Sequence, residues 1–171
     1  MIHLYCGDGK GKTTCAMGLA LLAAGLGWPV AVAQFLKGAD SGERAALAHV
    51  PGVTLLPVPE TLPFLFQMTP AQRQAEAGRS AALLEEGARL LRTGRCRMLV
   101  LDEVCAALTC GLLEERAVLD LLDRRPEGTE VVLTGRDPLP SLRDRADYLT
   151  ELTAVRHPYD RGFPARSGVE F

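Results

Sequence analysis

A doubly wound α/β fold with a mostly parallel sheet is what this sequence predicts, on three observations. Short apolar runs alternate with helix-length segments along the whole chain, the order produced by successive strand–helix–strand crossovers. Residues 30–36 and 98–101 have the near-continuous apolar character of strands covered by helices on both faces. The 171 residues contain no internal repeat or low-complexity tract and suit one core, so residues 1–171 are read as a single domain.

Each element has its own local reason. Residues 2–6 are an apolar run stopped by glycine, a first strand, and an apolar helix follows over 13–24. Gly25, Gly27 and Pro29 end that helix before the second strand at 30–36. A third strand is expected over 53–58, after which the proline-rich stretch 57–63 carries the chain across the surface. Thr69, Pro70 and Gln72 supply a cap residue, a proline at N1 and a glutamine at N3, so a helix begins there and runs to about residue 93, before Gly94. Residues 98–101 form a buried strand ending in Asp102-Glu103, and 114–125 a helix stopped by Pro126. A strand at 130–133 ends in Thr134-Gly135-Arg136, and a short helix at 141–146 with a last strand at 148–153 completes the alternation.

Composition removes several function classes. Apolar residues at 47% and charged residues at 23% are ordinary for a soluble globular domain and exclude a disordered or fibrous chain. A net charge of -2 offers no overall positive field for a nucleic-acid backbone, so no nucleic-acid partner is expected. The five cysteines form no C-x-x-C and have no clustered histidines, which points to the reducing cytoplasm and to no zinc site. Residues 13–36 carry no charge and follow Lys10 and Lys12, as in a signal peptide. Gly25, Gly27 and Pro29 nevertheless split the stretch, and a strand precedes the lysines, so no membrane role is expected.

Chemistry concentrates between the first strand and the first helix. Gly7-Asp8-Gly9-Lys10-Gly11-Lys12-Thr13-Thr14 stands where a P-loop must stand to wrap phosphates with backbone N–H groups. Lys12 would reach the phosphates and the Thr13 hydroxyl would ligate Mg²⁺. The first glycine of the general G-x-x-x-x-G-K-[ST] pattern falls on Cys6, so the loop is a variant one. The fold expected is accordingly P-loop NTPase-like. The chain has only three lysines, Lys10, Lys12 and Lys37, all near its start, although it has 19 basic residues, and lysine is the compact point charge suited to phosphate. For Lys37 a solvated strand-end residue and a functional one stand as equal readings.

Asp102 and Glu103, at the end of an apolar strand, would present carboxylates beside the loop as a Walker B pair holding the metal. Arg136 follows another strand at the same edge and would stabilise phosphate charge. Phe64, Phe66 and Met68 form an apolar cluster on a loop, read either as a cap on the core or as a site for a flat apolar ligand.

Taken together, these segments resemble the P-loop type of ATP:corrinoid adenosyltransferase. The resemblance is carried by the glycine loop, Gln34-Phe35-Leu36-Lys37-Gly38, Ser41-Gly42-Glu43, Leu101-Asp102-Glu103 and Leu133-Thr134-Gly135-Arg136. The tail, His157-Pro158-Tyr159 through Ala165 to Gly168-Val169-Glu170-Phe171, completes it. It implies a RecA-like sheet and transfer of the 5'-deoxyadenosyl group of ATP to the cobalt(I) of a corrinoid, with release of triphosphate. ATP would be held by residues Gly7 to Thr14, and Mg²⁺ by Thr13, Asp102 and Glu103. Lys12, Thr13, Glu103 and Arg136 would carry the chemistry. Phe64 and Phe66 would lie against the corrinoid, excluding its lower axial ligand, where relatives often have Phe and Trp. A reductase supplying electrons to cobalt and a homodimer are implied as partners. The same loop would also serve a small P-loop kinase with residues 136–145 as lid, or an ATP-binding regulatory module without turnover.

Overall fold

The computed structural model describes residues 1–166, 168 and 169. Among them six strands form one sheet, β1 (Ile2–Cys6), β2 (Val30–Gln34), β3 (Val53–Leu55), β4 (Met98–Asp102), β5 (Glu130–Gly135) and β6 (Tyr148–Glu151), in the order β3-β2-β4-β5-β1-β6. Every pairing in it is parallel, so "mostly parallel" becomes wholly parallel. Parallel neighbours need crossovers, and six helices supply them or flank them: α1 (Lys12–Gly25), α2 (Gly42–Leu47), α3 (Pro70–Arg92), α4 (Val104–Thr109), α5 (Glu115–Asp123) and α6 (Pro140–Arg145).

The strand period of two sorts the core onto two faces. Val30, Val32, Met98, Val100 and Val132 meet Ala16, Met17, Ala20, Ala23 and Ala24 of α1. Ala31, Ala33, Leu99, Leu101, Val131 and Leu133 face the other way, onto Leu84, Ala88 and Leu91 of α3 and Val104, Ala107 and Val118 of α4 and α5. Strands β2 and β4 are buried at every position, which is why their sequences lack alternation. The alanines of α1 let that helix lie close on the sheet, and its N-terminus falls at the carboxyl edge where β1 ends. Helix α3 starts where expected, with a full capping box: Gln72 N–H donates to Thr69 Oγ1 at 3.3 Å, and Thr69 N–H donates to Gln72 Oε1 at 2.8 Å.

Several boundaries differ from the sequence reading. The third strand ends at Leu55, not 58, because Pro57 and Pro59 cannot donate to a ladder. The second strand ends at Gln34, where the chain turns through Leu36 at φ 56°. The last strand ends at Glu151, and α5 spans Glu115–Asp123 rather than 114–125. Helices α2 and α4 were not anticipated. Helix α4 follows β4 directly and is apolar all round, so hydrophobicity alone cannot distinguish it from more strand.

Candidate functional site

The carboxyl ends of β1, β2, β4 and β5 bring the glycine loop, Lys37, the Asp102-Glu103 pair and Arg136 to one edge. Backbone strain concentrates along that edge. The non-glycine residues with positive φ among those described are Leu36, Glu103 and Asp137, each just beyond β2, β4 or β5. Such conformations persist where the surroundings over-determine them, as at binding sites.

In the loop, Gly7 and Gly11 adopt φ 101° and 114°, and α1 begins at Lys12 with the free N–H groups of a helix first turn. Lys12 is 8% exposed, and its ammonium donates to the carbonyls of Gly7 at 2.7 Å and Gly9 at 2.8 Å. The chain leaving β6 presses against the loop from the other side. Gly9 N–H donates to Leu152 O at 2.8 Å, and Ala154 N–H donates to Asp8 Oδ1 at 3.0 Å, which holds the Asp8 carboxyl below its ordinary value. A Cβ on Gly9 would stand 2.7 Å from the Leu152 carbonyl and 2.9 Å from Thr153 C; one on Gly7 would stand 2.4 Å from Leu152 O. These glycines are therefore required by the approach of another backbone as much as by an anion. Gly9→Ala is expected to cost about 1–3 kcal/mol, the usual penalty for forcing atoms into a packed site, and to weaken nucleotide binding, as checked by thermal melting and calorimetry.

Asp102 is fully buried and central. Its Oδ1 accepts from Thr13 Oγ1 at 2.9 Å and Thr134 Oγ1 at 2.7 Å, and its Oδ2 from Gln34 Nε2 at 3.1 Å. Because the Thr13 hydroxyl donates its proton to Asp102, its lone pairs are left for a cation or another donor. Glu103 N–H donates to Thr134 Oγ1 at 2.8 Å, which braces the turn at Glu103, where φ is 59°. Burial pushes that carboxyl above its ordinary value and neighbouring Asp102 adds to the effect, while Lys12, Lys37 and Arg136 oppose it. Arg136 itself is exposed, and its charge reaches Asp8 and Glu103.

Lys37 forms a close ion pair with Glu43, in the first turn of α2, and both side chains stay partly exposed. Burial would raise Glu43, but hydrogen bonds from Lys37, its own N–H and Gln34 bring its pKa below the ordinary value. Gln34, Glu43, Arg44 and Thr134 belong to this polar cluster. None was singled out as a site residue, although a glutamine in an otherwise apolar strand was a signal of a satisfied buried contact.

The loop cluster divides in two. Met68 is buried and Leu65 packs against the core, whereas Phe64 and Phe66 are 70% and 83% exposed, with ring centroids 5.6 Å apart and planes 12° from parallel. A single 3-10 turn at Leu65–Gln67 presents them outward. The start of the same connection, Leu56 to Pro59, walls a groove of about 370 Å³ with Phe35 and Leu83, and Gln34 and Lys37 also line it. The tail makes an exposed turn at Pro158–Arg161, where Tyr159 N–H donates to His157 Nδ1 at 3.2 Å. Glu170 and Phe171 lie outside the described residues.

Comparison with known proteins adds identity to this geometry. A domain of the Type VII secretion ATPase EccC of Thermomonospora curvata superposes with a TM-score of 0.52 at 22% identity, over 88% of this chain and 20% of that one, a likeness of fold. A corrinoid adenosyltransferase of Pseudomonas aeruginosa is 36% identical over all of this chain and 83% of its own length. The corrinoid adenosyltransferase CobA of Salmonella typhimurium is 34% identical over all of this chain and 85% of its length, and that of Escherichia coli 31% over the same shares. Residues 1–171 also match the family described as ATP:corrinoid adenosyltransferase BtuR/CobO/CobP. With its whole length matched by the family model and by these relatives, the chain belongs to the ATP:corrinoid adenosyltransferase family, enzymes whose substrates are ATP and a corrinoid.

Proposed function

We propose that the carboxyl edge of this sheet holds ATP by its triphosphate and offers the ribose C5' carbon to a corrinoid lying on Phe64 and Phe66. The observation that carries this reading is the 2.9 Å contact of the Thr13 hydroxyl with buried Asp102, which joins the glycine loop to the carboxylate pair. Residues Gly7, Asp8, Gly9, Lys10, Gly11, Lys12, Thr13 and Thr14 form the nucleotide loop. Within it Lys12 and the first N–H groups of α1 face phosphate charge, while Asp8 and Gly9 also brace the loop against the 152–154 segment.

The donor set suits Mg²⁺. Among the described residues no group of three or more His, Cys, Asp or Glu side chains forms a metal cage. Mg²⁺ on a nucleotide does not require one, since it takes one or two carboxylates, a hydroxyl, water and phosphate oxygens. Thr13, Asp102 and Glu103 would hold it, and it would neutralise the triphosphate as a leaving group.

In the transfer, the electron pair of cobalt(I) forms the Co–C5' bond, the C5'–O bond breaks, and triphosphate departs with that bond's electrons. Lys12 and Arg136 stabilise the departing charge, and the protein's share is positioning and electrostatics. Phe64 and Phe66 exclude the lower axial ligand from the cobalt. An electron-donating reductase and a second copy of this chain are the partners proposed, and the cytoplasm the location. Among the described residues no helix is long and apolar enough to cross a membrane.

The test is an anaerobic assay with ATP, Mg²⁺ and chemically reduced cob(I)alamin. A light-sensitive Co–C product with stoichiometric triphosphate is expected. ADP formation without an alkylcobalt product would overturn the reading.

A further inference from the structure

We propose that Gln34 is a positioning residue for the metal–nucleotide site, acting through Asp102. The inference rests on the reading of Thr13 and Asp102 given above. Gln34 is 2% exposed at the last position of β2, whose partner in the register is Asp102 at the last position of β4. Both ends of its side-chain amide are engaged. Arg44 Nη1 donates to Gln34 Oε1 at 3.0 Å, so the NH₂ group must face the other way, where it donates to Asp102 Oδ2 at 3.1 Å and Glu43 Oε1 at 3.2 Å. Arg44 is in turn fixed by donating from Nη2 to Leu56 O at 2.9 Å. A reversed amide would set its NH₂ against the guanidinium and its oxygen against two carboxylates, so the charges of Arg44, Glu43 and Asp102 select one orientation.

The consequence falls on Asp102. Its Oδ1 is held by two threonine hydroxyls, and a donor on Oδ2 adds a third restraint on rotation of the carboxylate about its Cβ–Cγ bond. Gln34 supplies that restraint. With it, the Thr13 hydroxyl has a fixed acceptor and its lone pairs a fixed direction. Without it, Asp102 has lost a donor in a place closed to water, and Thr13 follows.

Binding of ATP to the full chain should be measured by calorimetry, with Mg²⁺ and with EDTA, for Gln34→Met and Arg44→Met. Gln34→Met is expected to weaken MgATP binding about tenfold, the scale of one hydrogen bond to a charged group. The Mg²⁺ concentration needed for half-saturation should rise in step, while metal-free ATP binding and the corrinoid KM stay within about twofold. Arg44→Met leaves Gln34 in place but unlocks its amide, and should show the same Mg²⁺-specific pattern at smaller amplitude; it decides the matter if Gln34→Met does not fold. Equal weakening with and without Mg²⁺, or none, would overturn the assignment. Since the calorimetric arms contain no corrinoid, a wild-type protein that binds MgATP there yet makes no alkylcobalt product when cob(I)alamin is added would defeat the transfer reading alone.

Discussion

Lys12→Met is expected to cut ATP-dependent adenosyl transfer by on the order of 10² to 10³-fold, the cost of removing one preorganised charge from a developing anion. The side chain is nearly closed from water, and its ammonium is held within 2.8 Å of the Gly7 and Gly9 carbonyls, so it waits at the floor of the loop without needing to be recruited from solvent. Methionine keeps the stem and its packing but loses every donor, so the loop carbonyls lose their tie as well. Lys12→Arg should fail too, because a planar fork does not fit a pocket shaped around a point charge. Single-turnover transfer from preformed cob(I)alamin, with MgATP binding measured in parallel, checks this. Retention of a tenth or more of wild-type kcat in Lys12→Met would reduce the lysine to a brace for the loop.

The double variant Phe64→Ala, Phe66→Ala is expected to lose about a hundredfold or more in transfer when cobalt(II) is supplied with a reductant, the scale seen when a positioning group is removed. With cobalt already reduced the loss should be much smaller, because exclusion of the lower ligand then matters less. The rings stack on each other and stand mostly in solvent, so truncation opens no cavity and the melting temperature should scarcely change. MgATP binding should stay within twofold, since neither ring is among the residues of the polar cluster. A comparable loss with both cobalt states would assign the rings to binding of the corrinoid rather than to its ligand exclusion.

The sequence reading reached furthest where one residue type answers one local demand. The capping box at Thr69 and Gln72, the buried runs of β2 and β4, and the loop between β1 and α1 are each specified within a few residues, and each stands where expected. Local physics left Phe64 and Phe66 between a core cap and a ligand face, and the structure shows both rings exposed rather than capping the core. What stayed hidden depends on residues far apart. The 2.9 Å contact of Thr13 with Asp102 spans 89 positions, and that of Gln34 with Asp102 spans 68. The need for glycine at position 9 comes from Leu152, which no pattern near the loop can display. Helix α4 was invisible for the opposite reason: a short, almost wholly apolar segment directly after an apolar strand has no periodicity to read.

That meeting of loop and strand end also orders events as the chain is made. Of the six strands in this sheet β1 is made before the others, yet it pairs with β5 and β6, the two made after the rest. Gly9 finds its acceptor, and Asp8 its donor, only when residues 152–154 exist. The nucleotide loop therefore lacks these two braces until the chain has been made as far as residue 154. Closure over so long a separation makes folding slow in proportion to its non-local contacts. Once it is complete, bound nucleotide stabilises the glycine loop and the 152–154 segment together, acting as a clasp between stretches of chain about 145 residues apart.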